Sequence, residues 1–252
     1  MRRTLLATLG LFLCAGLMAV AGCARTTSPQ LSAPPASAAA SQPPAVNSLT
    51  AAEKAAGWQL LFDGVTTAGW RGFRKTDMPA GWTVEAGVLT RSAAATDIVT
   101  VAEFDNFELF FDWMVTPGAN SGVFGRATEA STSVWHSSPE YQILDNLGHE
   151  DGKLPETTAG SAYALYAPVK DVTRPVGQWN QGRIIMKGAH VEHWRNGVRI
   201  VTYELGSPDF TARVAASKFK AYPQFGKAPR GHIALQDHGD RVAYRNIKIR
   251  PL

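Results

Sequence analysis

Phe107-Glu108-Leu109-Phe110-Phe111-Asp112-Trp113-Met114-Val115 decides the fold, because large apolar side chains recur at every second position. Successive side chains of a strand point to opposite faces, so Phe107, Leu109, Phe111, Trp113 and Val115 share one face and define a core side. The opposite face carries Glu108, Phe110, Asp112 and Met114, so it is not simply solvated. Working outward, further strand-like runs lie at 82–91, 122–126, 140–144, 183–187, 231–236 and 243–250. Residues 190–195 and 198–203 flank Asn196-Gly197, a pair suited to the two positive-φ positions of a type I′ hairpin turn. Many strands with Gly- and Pro-rich joints and almost no helical period predict an all-β sandwich. Two short helices are expected, one after the capping box Thr50-Ala51-Ala52-Glu53 with Gly57 ending it, the other within 210–219. No internal repeat breaks the segment from Leu49 to Leu252, which reads as one domain.

The N-terminus is an address rather than a structural element. Arg2 and Arg3 precede an almost uncharged apolar run over 5–20, which ends in Val20-Ala21-Gly22-Cys23 and resembles the bacterial lipobox. The run is shorter than the roughly 20 residues of a membrane-spanning helix. The expected organisation is a lipoprotein signal peptide over 1–22, a lipidated Cys23 opening a disordered Pro/Ala/Ser linker over 23–48, and the β domain over 49–252. Ala24 after the cysteine resembles an outer-membrane sorting signal, so the chain is expected to be exported and lipid-anchored in the envelope, facing the periplasm. Cys14 lies in the leader and Cys23 would carry the lipid, which leaves no cysteine for disulfide or thiol chemistry in the domain. Losing Arg2 and Arg3 lowers the formal charge from +4 to +2, so no nucleic-acid partner is implied, and membrane contact is expected only through the lipid.

Strand parity selects candidate site residues. In Glu140-Tyr141-Gln142-Ile143-Leu144 the apolar Tyr141 and Ile143 belong to the core, which turns Glu140 and Gln142 outward together. In His232-Ile233-Ala234-Leu235-Gln236 the same logic aims His232 and Gln236 away from the core. Two loops follow these strands, 145–151 with Asp145 and His149, and 237–240 with Asp237 and His238. Each pair could act as acid and base or ligate a divalent metal, although Asp, Asn and Gly also form turns on their own account, Asp240 included. His193 reads as a structural imidazole bonded across its hairpin. Gly-x-Ser-x-Gly, Walker-type and His-Glu-x-x-His motifs are absent, as is the Glu-x-Asp-x-Glu strand of laminarinase-like retaining glycosidases. Glu140 and Asp145 have opposite parity, so they are not a same-strand carboxylate pair.

Taken together, Gly57-Trp-Gln-Leu-Leu-Phe-Asp63-Gly64, Gly69-Trp70, Asn120-Ser121-Gly122-Val123-Phe124, Glu140-Tyr141-Gln142, Asp145 with His149, Gly177-Gln178-Trp179-Asn180, Val191-Glu192-His193-Trp194-Arg195-Asn196-Gly197, Ser217-Lys218-Phe219 and 231–239 resemble the 3-keto-disaccharide hydrolase domain family. The resemblance implies a concanavalin-like jelly roll of two antiparallel sheets, a carbohydrate substrate and hydrolysis of glycosides already oxidised to a ketone at C3. It also implies a functional link to a sugar 3-oxidoreductase. A C3 ketone acidifies the C2 proton, so elimination of the glycosidic oxygen followed by hydration is the expected route. On this reading Glu140 is the base or the acid, with Asp145, His149 and His238 as catalytic partners. Arg126 stabilises the enolate, Trp194 stacks on a ring, and Gln142, His232, Gln236 and Asp237 bind substrate. A divalent metal held by Asp145, His149 or His238 is the alternative to Arg126. A non-catalytic, lectin-like sugar-binding module is the competing class, since folds of this kind also host lectins.

Overall fold

The structure, a computed structural model, describes residues 45–252. The signal peptide, Cys23 and nearly all of the linker lie outside the described residues.

Alternating burial converts the period-two sequence pattern into two stacked antiparallel sheets. One contains β1 (Gln59–Leu60), β3 (Trp82–Glu85), β4 (Val88–Arg91), β6 (Phe107–Val115), β9 (Asn180–Lys187), β10 (His190–Arg195), β11 (Val198–Glu204) and β13 (Val242–Pro251). It runs in the order β11-β10-β9-β6-β13-β4-β3, with β1 paired to β13. The other contains β2 (Trp70–Gly72), β5 (Ile98–Phe104), β7 (Asn120–Ala127), β8 (Glu140–Leu144) and β12 (Gly231–Leu235), in the order β2-β5-β12-β7-β8. The antiparallel two-sheet jelly roll is therefore the observed architecture.

Phe107, Leu109, Phe111 and Trp113 of β6 face the other sheet and pack in one core with Val123, Tyr141, Ile143, Ile233 and Leu235. The Phe111 and Tyr141 rings meet edge to face, 5.4 Å apart. The mixed outer face of β6 has a specific cause. Glu108 is pinched between Arg183, at 2.5 Å, and Arg250, while Asp112 accepts from Arg245 at 3.2 Å and Asn246 at 2.7 Å. Those carboxylates are buried because cross-strand cations cover them.

The helices are α1 (Ala51–Ala55), whose Thr50 and Glu53 form the reciprocal capping box, and α2 (Pro208–Ala216), capped by the Ser207 hydroxyl on the Phe210 N–H. Asn196 and Gly197 both take positive φ and close the β10–β11 hairpin. The run 82–91 is not one strand: Ala86 and Gly87 adopt positive φ and fold it into the β3–β4 hairpin. Only Gly87 of this pair is a turn residue, and a single Gly inside an alternating run reads equally as a bulge, so the sequence does not separate the two strands. Domain contacts begin before Leu49, since Asn47 and Asn246 exchange backbone-to-side-chain hydrogen bonds of 2.6 and 2.7 Å.

The outer face of the five-stranded sheet is divided. Phe73, Val99, Phe124, Ala127 and Ala234 form a second apolar cluster there, sealed by Val134 of the β7–β8 connection. The rest of that face, at the Asn120 end of β7, the middle of β8 and the end of β12, is left for polar side chains.

Candidate active site

Gly122 makes room for the site. It sits opposite Gln142 in the β7–β8 register, and a methyl group in its place would run into the carboxyl of Glu140. Tyr141 and Ile143 enter the core, so Glu140 and Gln142 both project onto the outer face. They form the floor of a cavity of about 220 Å³, together with Asn120 and Gln236. Its walls come from four separate connections: Trp135, Asp151 with Tyr163, Lys218, and His238.

The floor is buried although it faces outward. Glu140 is 7% exposed and Gln142 fully enclosed. Burial pushes the Glu140 carboxyl up to about 8; the Lys218 ammonium opposes that shift, and the Asp97 and Asp151 carboxylates add to it. Asp97, which accepts from the Asp237 N–H at 2.9 Å, is itself pushed up to about 6, chiefly by burial. Gln142 donates to the Thr157 carbonyl at 3.3 Å. The side-chain oxygens of Asn120 and Gln236 are buried with no hydrogen-bond partner among the described residues, which leaves two unpaired acceptors at the pocket floor.

On the rim, Asp151 accepts from the Tyr163 hydroxyl at 3.3 Å and from Asn120 at 3.4 Å. His238 stands 3.8 Å from the Asp240 carboxylate, which in turn accepts the Asn120 N–H at 3.1 Å. The Lys218 ammonium lies between the Trp135 ring, at 4.8 Å, and the Tyr163 ring, at 4.5 Å.

Of the residues singled out in the sequence, Glu140, Gln142, Gln236 and His238 meet in this cavity. His149 stands just behind it, its Nδ1 accepting the Asp151 N–H at 3.1 Å and its ring 5.9 Å from that of His238. The others are elsewhere. Asp145 spends both carboxylate oxygens on the N–H groups of Gly118, at 2.8 Å, and Leu147, at 3.1 Å, and is a turn residue. Asp237 is a latch, ion-paired to Arg91 at 2.6 Å and accepting the Ala95 N–H at 3.0 Å.

His232 points outward as parity required, but it starts the strand that Gln236 follows. Four residue steps of β-structure put the two about 13 Å apart, and His232 instead approaches Glu103 at 3.6 Å. Arg126 takes positive φ at an irregular register between β7 and β12, and its guanidinium donates to the carbonyls of Asp105 and Gly188 at the far end of β7. Trp194 lies on the outer face of the opposite sheet, with Arg183 4.9 Å over its ring. His193 is buried, as a structural imidazole, but its partner is the Gly160 carbonyl at 3.1 Å rather than the neighbouring hairpin strand. Desolvation lowers His193 to about 4. Among the described residues no three His, Cys, Asp or Glu side chains are placed together to hold a metal ion, and Asp145, His149 and His238 do not converge.

Trp135, Tyr163, Lys218, Asp151 and Asn120 were not assigned from the sequence. Asn120 opens β7, whereas the other four arrive from connections; of the five, Asn120 and Lys218 lie in blocks that carry the family resemblance and Asp151 in the loop 145–151.

A desolvated carboxyl group at the floor of a polar pocket on a two-sheet jelly roll is an arrangement that both glycoside hydrolases and sugar-binding modules can present, and the comparisons select the hydrolase class. The sequence pattern of the 3-keto-alpha-glucoside-1,2-lyase-like domain matches residues 57–250, and the chain belongs to that family. It is 32% identical over 239 residues to a curated 3-keto-disaccharide hydrolase of Bacteroides thetaiotaomicron, with 82% of each chain covered. A crystal structure from Parabacteroides distasonis, provisionally assigned as a glycosyl hydrolase, superposes with a TM-score of 0.78 at 35% identity, covering 82% of this chain and 100% of that one. A second protein of the same bacterium and provisional assignment superposes at 0.63 with 28% identity, covering 77% and 99%.

Proposed function

We propose that this chain hydrolyses 3-keto-glycosides, 3-keto-disaccharides among them, by elimination and hydration, with Glu140 as the acid and His238 as the base. The observation that carries the proposal is the buried Glu140 carboxyl, pushed up to about 8 at the floor of the pocket, so that it holds a proton at neutral pH. A neutral carboxylic acid beside a glycosidic oxygen can protonate the leaving group. His238 takes the C2 proton, and Asp240 at 3.8 Å stabilises the imidazolium that results. The leaving alcohol departs with the Glu140 proton, leaving a C1–C2 double bond conjugated to the C3 ketone. Water then adds at C1 while C2 regains a proton, which regenerates a free 3-keto sugar. The unsatisfied oxygens of Asn120 and Gln236 suit a polyhydroxylated ring.

The ketone must be made before this step, so an oxidoreductase acting at C3 of the intact glycoside is the expected supplier. Export and anchoring through Cys23, with the domain facing the periplasm, belong to the same proposal and rest on the N-terminal pattern.

The test is aglycone release from a 3-keto-glucoside and from its unoxidised parent. Wild type should release the aglycone only from the keto form, and Glu140→Gln should keep the fold while losing about 10²–10⁴-fold in kcat. With Glu140 as acid, wild-type kcat/KM should fall as pH rises through about 8. Tight binding of both glycosides without turnover would instead mark a sugar-binding module.

A further inference from the structure

We propose that Lys218 is a catalytic residue whose ammonium binds the C3 carbonyl oxygen of the sugar and stabilises the enolate formed when the C2 proton leaves. The inference rests on the reading of the pocket as a 3-keto-glycoside site and adds the group that reading lacks.

The elimination passes through an anion. Breaking C2–H sends the proton to His238 and its electron pair into a C2–C3 double bond, and the carbonyl pair moves onto the C3 oxygen. When that pair returns, the C1–O bond breaks and the leaving oxygen takes the Glu140 proton. A negative oxygen therefore has to be held, in a pocket whose floor is poor in positive charge. The floor offers a carboxyl, Glu140, and two unsatisfied amide oxygens, and the wall adds the Asp151 carboxylate. Lys218 is the one lysine or arginine among the described residues lining it. Arg126, expected in this role from the sequence, is fixed to the Asp105 and Gly188 carbonyls at the far end of its strand.

Lys218 is also preorganised without being neutralised. The Trp135 and Tyr163 rings, which face the same cavity, bracket its ammonium at 4.8 and 4.5 Å, and Phe219 lies 5.5 Å away. Aromatic faces hold a cation while leaving its three N–H donors free for an incoming oxygen. No carboxylate of the described residues pairs with it, although its field reaches Glu140. A cation aimed at charge that exists only in the transition state should raise kcat and leave ground-state binding nearly unchanged.

The experiment compares the full-length wild type with Lys218→Met and Lys218→Arg, using a 3-keto-glucoside with hydrogen or deuterium at C2. Lys218→Met should lose about 10²-fold or more in kcat, with KM shifted less than about threefold. Its C2 isotope effect should exceed that of wild type, because proton removal becomes the slowest step. Lys218→Arg should recover part of the loss. A merely structural role would lower the active fraction and leave the isotope effect untouched. Wild-type turnover with Lys218→Met kcat within about threefold would overturn the proposal alone, whereas no wild-type turnover of any 3-keto-glycoside would overturn the functional reading beneath it. A substrate adduct on Lys218 after borohydride treatment would overturn the charge-only role in favour of an imine.

Discussion

Glu140 binds its proton more tightly in the folded chain than in the unfolded one, because burial raises it from the ordinary 4.5 to about 8. The sign of the consequence follows from proton counting. Between those two values the unfolded state has released the proton and the folded state retains it, so stability is full below about 4.5 and declines as pH rises through about 8. Each unit of difference is worth about 1.4 kcal/mol, which makes the whole window a matter of several kcal/mol at most. Glu140→Gln removes the slope. Its melting temperature should exceed that of wild type at pH 8.5 by more than it does at pH 5, a gap that thermal denaturation at the two pH values measures directly.

Strands β7 and β8 carry the site as a pair, and their shared register is what Gly122 protects. A methyl group at that position meets the Glu140 carboxyl, so Gly122→Ala should cost about 1–3 kcal/mol of stability by overpacking. It should also lower kcat about 10²-fold, since even a 1 Å misplacement carries that loss. Urea denaturation and turnover of a 3-keto-glucoside check the two halves. Alternation in β6, β8 and β12 was legible because large apolar residues mark one face of each, and it correctly turned Glu140, Gln142 and Gln236 outward. What alternation cannot convey is distance along a strand or the path of a connection. His232 shares a face with Gln236 yet stands at the other end of β12, and Trp194 occupies the outer face of the wrong sheet. Asp145 and Asp237 look like acids in sequence and act as hydrogen-bond acceptors for backbone or as ion-pair partners in space. The walls, Trp135, Tyr163 and Lys218, come from irregular segments whose placement depends on tertiary packing that no local period encodes.

At the scale of the whole molecule, the proposed lipid anchor makes a prediction independent of the pocket. Full-length protein expressed in a bacterium should fractionate with membranes and incorporate labelled fatty acid, and Cys23→Ser should abolish both while the released domain keeps its turnover of 3-keto-glycosides. Among the described residues no helix is long and apolar enough to cross a membrane.

Strand β8 ends its sheet, yet its free edge is already occupied. The Gln142 N–H donates to the Ser161 carbonyl, the Gln142 carbonyl accepts from Gly160, and the Glu140 carbonyl accepts from Tyr163. An exposed edge is a template on which another chain can stack. Here the same short segment that brings Tyr163 to the pocket also takes up the backbone groups of Gln142 and Glu140 that a strand from another molecule would need for ladder pairing beside the site.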